Sequence, residues 1–213
     1  PIQETQNWQA GFLPGIYQGT YIDTRHVEVD KLIEHIKNDH LPIAAQRAQL
    51  VALQRRNARH REQRPGDAAL EARIQSLELG FRMQMEAADA FDVRHEPRHI
   101  RDMYGKGTQA RQILIARRLL ERGVRFVELT CPSGNGDRWD QHSKLSDGHT
   151  KNCLTIDQPI AALIKDLRRS GLLDSTLVVW AGEFGRTPFA QGTDGRDHNP
   201  FGFTVWMAGG GVQ

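Results

Sequence analysis

The sequence predicts an α/β fold: a parallel sheet flanked by helices, with a helical hairpin region in the first half. Three observations predict it. A strand-like run, an amphipathic helical run and a second strand-like run follow one another between residues 124 and 181, which is the spacing of a βαβ unit. Both strand-like runs, "VRFVELT" and "STLVVWA", are almost continuously apolar, as strands are when helices cover both faces of a sheet. Upstream, apolar residues recur at steps of three and four, the helical period.

Taken in order, the first 30 residues read as an irregular, packed loop. "NWQAGFLPGIYQGTYI" mixes aromatics with Gly and Pro at short intervals, and its apolar content is too high for a disordered tail. Residues 30–104 read as helical. An Ala-, Gln- and Arg-rich helix spans about 42–64. "RPGD" at 64–67 then breaks the chain, and Asp67 can cap the next helix. Leu70, Ile74, Leu77, Phe81, Met85 and Ala88 line one face of that helix, a core stripe.

The pattern changes after Tyr104, so the expected division is residues 1–104, lead-in and helical region, and 105–213, the α/β part. "TQARQILIARRLLERG" is a helix stopped by Gly123, and "VRFVELT" at 124–130 follows as a strand. A polar loop runs to about Leu154. Thr155 and Gln158 make a capping box opening a helix whose buried side is Ile156, Ile160, Leu163, Ile164 and Leu167, with Gly171 at its end. "STLVVWA" at 175–181 is the second strand. A second polar loop leads to a third, "FGFTVWMA" at 201–208.

Composition narrows the functional classes. The 213 residues are 38% hydrophobic and 25% charged, with a formal net charge of +2. That balance is globular and gives no general affinity for nucleic acid. Six arginines and a single acid fall between residues 47 and 64, but no aromatics interleave to stack bases, so a solvated helix face is the reading. No run of about 18 apolar residues exists to span a membrane, and no signal peptide is visible. Cys131 and Cys153 are either one disulfide or two thiols, which leaves the compartment open. The chain starts at Pro1 without a methionine and stops after a glycine-rich run, so it reads as a fragment and an incomplete domain.

The chemistry falls in the two polar loops, since ligands of open α/β sheets bind beyond the carboxyl ends of the strands. The first, "CPSGNGDRWDQHSKLSDGHTKNC", offers Asp140 and His142, with His149 farther on. The second offers Glu183, Asp197 and His198. Carboxylates with imidazoles suit Zn, Mn or Fe better than Ca or Mg alone. Each residue has a plainer use: an Asx turn for Asp140, a salt bridge to Arg186 for Glu183, and orientation of a neighbouring imidazole for Asp197. Gly182 and Gly185 let backbone approach a ligand, and Arg186 and Arg196 can grip an anionic group such as phosphate or sulfate.

"WDQH", "DQPIAALIKDLRRSGLLDSTLVVWAGEFGRTP" and "GRDHNPFGFTVWMAGGGV" resemble the family called domain of unknown function 1501, and "QNWQAGFLPGIYQGT" and "LEARIQSLELGFRMQ" resemble it too. The resemblance implies sulfatase-like proteins of the alkaline phosphatase superfamily and an alkaline-phosphatase-like sheet. It implies a divalent metal held by Asp140, His142 and His198, with Glu183 and Asp197 as further ligands. Glu183 and Arg186 would then be catalytic, and Arg196 would help bind the anionic ester. Glu183 stands where relatives carry an Asp-His pair, and Phe184 replaces that histidine. The nucleophile region of such hydrolases has no counterpart in residues 1–30. The implied function is metal-dependent hydrolysis of sulfate or phosphate esters at a periplasmic or secreted site. The alternative is a non-catalytic binding or assembly protein. Oligomeric state is not readable.

Overall fold

A computed structural model describes residues 9–13, 17–33, 38, 40–82, 88–130 and 139–212. The chain forms two compact units, Pro1–Asp92 and Val93–Gln213.

In the first unit, α1 (Val29–Leu32), α2 (Ile43–Glu62), α3 (Ala68–Arg82) and α4 (Ala88–Phe91) follow an irregular lead-in. Helices α2 and α3 run back along each other. Arg61 Nη1 lies 3.1 Å from Glu71 Oε2 near the turn, and Gln54 Nε2 donates to Glu78 Oε1 at 3.1 Å farther out. Asp67 caps α3, its Oδ1 accepting from the Leu70 N–H at 2.9 Å. No residue of α2 is buried, so its arginines are solvated. Of the expected core stripe, Ile74 is buried, while the side chains of Leu77, Phe81, Met85 and Ala88 lie outside the described residues. Among the described residues of the lead-in, which is irregular, Phe12, Tyr17 and Tyr21 are exposed and not packed. Apolar content alone does not bury a segment that has no helix or strand to lie against.

In the second unit, α5 (Arg98–Tyr104), α6 (Thr108–Glu121) and α7 (Leu145–Arg169) enclose the core. Ile100, Tyr104, Ile113, Leu114, Ala162, Leu163, Leu167 and Leu173 form one buried cluster. Each fully buried leucine there contributes about 1.5–3 kcal/mol. Gly123 ends α6 with φ +82°, and the Val124 N–H reaches back to the Leu119 carbonyl at 3.1 Å.

The buried side of α6 also carries charge. Arg117 and Arg118 are buried and are answered by acids. Arg117 Nη2 lies 2.6 Å from Glu96 Oε2 and its Nη1 2.7 Å from Glu121 Oε2. Its Nε lies 3.0 Å from Asp166 Oδ2, at ion-pair distance without hydrogen-bond alignment. Arg118 Nη1 donates to Glu96 Oε1, and the Tyr104 hydroxyl donates to Asp166 Oδ2 at 3.1 Å. A buried charge unpaired would be severely destabilising, so the network is obligatory once two arginines face inward.

Helix α7 begins ten residues before the expected capping box. Thr155 is inside it, its hydroxyl donating to the Asn152 carbonyl at 2.7 Å. Gln158 caps a different helix: its Nε2 donates to the carbonyls of Asp102 and Met103 at the end of α5. The stripe Asn152, Ile156, Pro159, Leu163 and Leu167 stays buried along α7, and this packing extends the helix through what reads locally as a start signal.

The parallel sheet is not there. Four strands are present among the described residues: β1 (Leu177–Ala181), β2 (Gly185–Arg186), β3 (His198–Asn199) and β4 (Val205–Gly209). They make two antiparallel pairs, β1 with β4 and β2 with β3. In register, Val179 faces Met207 and Arg186 faces His198. A further bridge joins Gln191 to Gly195. Residues 177–209 are thus one long hairpin. The chain between the strand-like runs at 175–181 and 201–208 holds no crossover helix, and a connection without one returns antiparallel.

Residues 124–130 form no strand. Among the described residues nothing pairs with them, and Phe126 is 80% exposed. With that run unpaired, no βαβ unit forms and the architecture is not that of an alkaline-phosphatase-like parallel sheet. Nor do helices cover both faces of the apolar strands. Val178 packs on the core, while Leu177, Val179, Trp180, Val205, Trp206 and Met207 are exposed. No helix among the described residues is long and apolar enough to cross a membrane.

Candidate functional site

Trp139 anchors the segment that carries Asp140. Its ring meets Trp180 of β1 edge-on at 5.8 Å and His149 of α7 at 5.5 Å, both near-perpendicular contacts. The hairpin end then closes on the same segment through backbone. The Arg196 N–H donates to the Gln141 carbonyl at 3.0 Å, and Asp194 Oδ1 accepts from the Lys144 N–H at 3.0 Å. Lys144 precedes α7 with φ 52°, in the left-handed region. The approach is close enough to require glycine at 195, where a Cβ would lie 1.8 Å from the His142 carbonyl oxygen.

These contacts bring Asp140, His142 and His198 together. One donor atom from each lies within 4.8 Å of the others. His198 Nε2 lies 2.9 Å from Asp140 Oδ1, and His142 Nε2 lies 3.1 Å from the same oxygen. The imidazole centroids are 5.1 Å apart. Two ligands about 2.0–2.1 Å from one tetrahedral ion stand about 3.3 Å apart, so the separations suit a shared divalent ion after a small outward shift. The donor set, two imidazoles and a carboxylate, fits Zn or Mn better than Ca or Mg.

Arg186 completes the cluster. Facing His198 across the β2–β3 pair, it donates from Nη1 to Asp140 Oδ1 and from Nη2 to Glu183 Oε1 at 3.2 Å. Its guanidinium carbon lies 5.4 Å from the centre of the Phe184 ring, and that ring lies 4.5 Å from His198.

Burial opposes ionisation of Asp140, but the hydrogen bonds from His198 and Arg186 outweigh it and pull its carboxyl down to about 2. His142 is shifted up from its ordinary value, first by its Nδ1 hydrogen bond with Gln191 and, against burial, by Asp140.

The remaining sequence candidates lie beside the cluster. Glu183 is 64% exposed and is held by Arg186. The Asp197 carboxylate accepts from the His198 backbone N–H at 2.7 Å and not from an imidazole. Arg196 Nη1 donates to the Gly195 carbonyl at 2.8 Å. His149 Nδ1 has no hydrogen-bond partner among the described residues. Cys153 is an exposed free thiol, and Cys131 lies outside the described residues.

Two contacts are not legible in the sequence. Gln191 fixes the His142 ring through Nδ1, leaving Nε2 toward Asp140. Phe184 packs on His198 and under Arg186. A hairpin reading of residues 177–209 would have exposed both, because it sets Gln191 near the turn and Phe184 next to the β2–β3 pair.

Residues 1–213 match the family model described as Protein of unknown function (DUF1501). The chain belongs to that family. No curated protein and no solved structure matches the chain. Membership in DUF1501 carries no named activity, so function must be argued from the Asp140 cluster itself.

Proposed function

We propose that Asp140, His142 and His198 form a single divalent-metal centre, and that it serves hydrolysis of sulfate or phosphate esters in the manner of sulfatase-like proteins of the alkaline phosphatase superfamily. The observation that carries this reading is the convergence of three donor atoms within 4.8 Å on an accessible surface, beside an arginine fork.

When bound, the ion supplies Lewis-acid polarisation of an ester oxygen. The chain's own residues do the rest. The two Nε2 atoms and the Asp140 carboxylate orient the ligand field, and Gln191 keeps His142 turned toward it. Arg186 and Arg196 are the cations available to the ester's anionic oxygens. Glu183, an exposed carboxylate beside the cluster, would take a proton from an attacking water. Zinc or manganese is the preferred ion, with calcium or magnesium the weaker candidates.

The test is metal content by elemental analysis in the wild type and in His198→Ala. Equal content in both would remove His198 from the ligand set. Turnover of aryl sulfate and aryl phosphate esters that is stimulated by zinc or manganese, and lost in Glu183→Gln, would support the hydrolase.

A second reading keeps the metal centre and drops catalysis. Phe184 favours it: its ring packs on His198 at 4.5 Å and narrows the approach to that ligand. A protein that binds zinc but turns over neither ester class would be a binding or assembly module.

A further inference from the structure

One oxygen in this cluster is contested. Asp140 Oδ1 faces His198 Nε2 at 2.9 Å, His142 Nε2 at 3.1 Å, and Nη1 of Arg186. Oδ1 is the carboxylate atom that both Nε2 atoms approach, so a divalent ion bridging the two imidazoles meets this oxygen first. The guanidinium stands there already. It is partly shielded, with 21% of its side chain accessible against 35% for Asp140. A partly shielded, charge-assisted contact of this kind is stronger than an open surface ion pair.

Arg186 also has somewhere to go. Its Nη2 is tied to Glu183, three residues earlier on the same segment, and its face rests on Phe184. Losing Asp140 therefore leaves the guanidinium held by one carboxylate and one ring, close by, without becoming an unpaired charge.

Resting on the metal-centre reading above, we infer that Arg186 is a built-in counter-cation that occupies the metal's carboxylate ligand and must be displaced to Glu183 when an ion binds. Arg186 is then a competitor of the ion as well as a neighbour of it. The arrangement sets the affinity of the centre lower than its three ligands alone would give, and it selects for ions that bind imidazole nitrogen strongly enough to pull the carboxylate away.

The experiment is equilibrium dialysis of the intact chain against zinc alone, with no substrate, on the wild type, Arg186→Gln, Arg186→Lys and Asp140→Asn. Circular dichroism on each variant establishes that it is folded. The expected result is that Arg186→Gln binds zinc about tenfold more tightly than the wild type. Arg186→Lys, which keeps the charge, should stay within about threefold of it, and Asp140→Asn should lose the site. Zinc binding by the wild type with no gain, or a loss, in Arg186→Gln would overturn the inference and leave the metal centre standing; the ion would then use Asp140 Oδ2 with Arg186 in place. Zinc binding by none of the four proteins would overturn the metal-centre reading, and the inference with it.

Discussion

Arg186 and His198 are register partners across the β2–β3 pair, and both reach the same oxygen of Asp140. Directly opposed residues of an antiparallel pair project to the same face, so a two-residue ladder is enough to set a cation and an imidazole side by side.

Zinc should stabilise the folded chain through this cluster. At a zinc concentration 100 times the dissociation constant, linkage predicts about 2.7 kcal/mol of added stability. Thermal unfolding of the wild type should shift upward with zinc and show no shift in Asp140→Asn. An equal shift in both would mean that the ion binds elsewhere.

Gly195→Ala should separate site from fold. The added Cβ would meet the His142 carbonyl oxygen, a backbone atom that cannot swing aside, so the hairpin end must back away from residues 139–144. The core around Leu163 and Leu167 does not involve that contact. The expected outcome is a stability cost of about 1–3 kcal/mol in urea unfolding together with a loss of zinc binding of at least about tenfold.

The buried charge network is expected to dominate sensitivity to mutation. Glu96→Ala would leave Arg117 and Arg118 short of a shared partner in the interior, at a cost of about 3–5 kcal/mol. Tyr104→Phe removes only the hydroxyl that donates to Asp166, at about 1 kcal/mol. Chemical denaturation of the two variants checks the ratio.

Acid should weaken the second unit through the same residue. Burial raises the Glu96 carboxyl, but the hydrogen bonds and charges of Arg117 and Arg118 more than offset it, so the folded value lies below the ordinary 4.5. A depressed folded value means that the contribution is complete above the unfolded value and is lost as pH falls through the folded one. Stability of the wild type should therefore decline below about pH 4.5, and Glu96→Gln, already less stable, should show a flatter decline over that window. Parallel curves would show that other carboxylates carry the acid response.

The apolar ribbon of β1 and β4 should bind a hydrophobic dye. Leu177, Val179, Val205 and Met207 share one face of it and are all exposed, and contiguous apolar surface of this kind is unusual on a globular protein. Anilinonaphthalene sulfonate fluorescence should be high for the folded wild type and fall by about half or more in Met207→Ser. An unchanged signal would place the dye on another surface.

What could be read beforehand follows from what is local. Helix ends at Gly123 and Gly171 and the cap at Asp67 depend on a few adjacent residues, and each is found where the sequence puts it. The sheet depends on partners distant in sequence, and there the reading failed. Apolar continuity in "STLVVWA" implies burial on two faces, whereas the strand pairs with residues 205–209 and keeps much of its apolar surface in solvent. "VRFVELT" has the composition of a strand and finds no strand partner among the described residues, which propensity cannot reveal. Thr155 and Gln158 match a capping pattern, yet packing of Asn152 and Ile156 carries α7 straight through them. Donor chemistry names Asp140, His142 and His198 only together with His149, Glu183 and Asp197, and the family resemblance is what singles out the three. Neither names the roles of Gln191 and Phe184, because they arise from the hairpin register.

The two arms of that hairpin are unequal between their paired segments: residues 182–184 on one side stand against residues 200–204 on the other. The mismatch separates the two ladders mechanically. An insertion of one residue at 203–204 lies outside both ladders and beyond Gly202, whose carbonyl packs against Gly185, so it can be absorbed without disturbing either register. The same change within 187–197 slides His198 past Arg186 by one position and turns the imidazole to the opposite face. Added length is therefore tolerated on one side of β3 and not on the other, so loop grafts meant to alter access to Asp140 belong at 203–204.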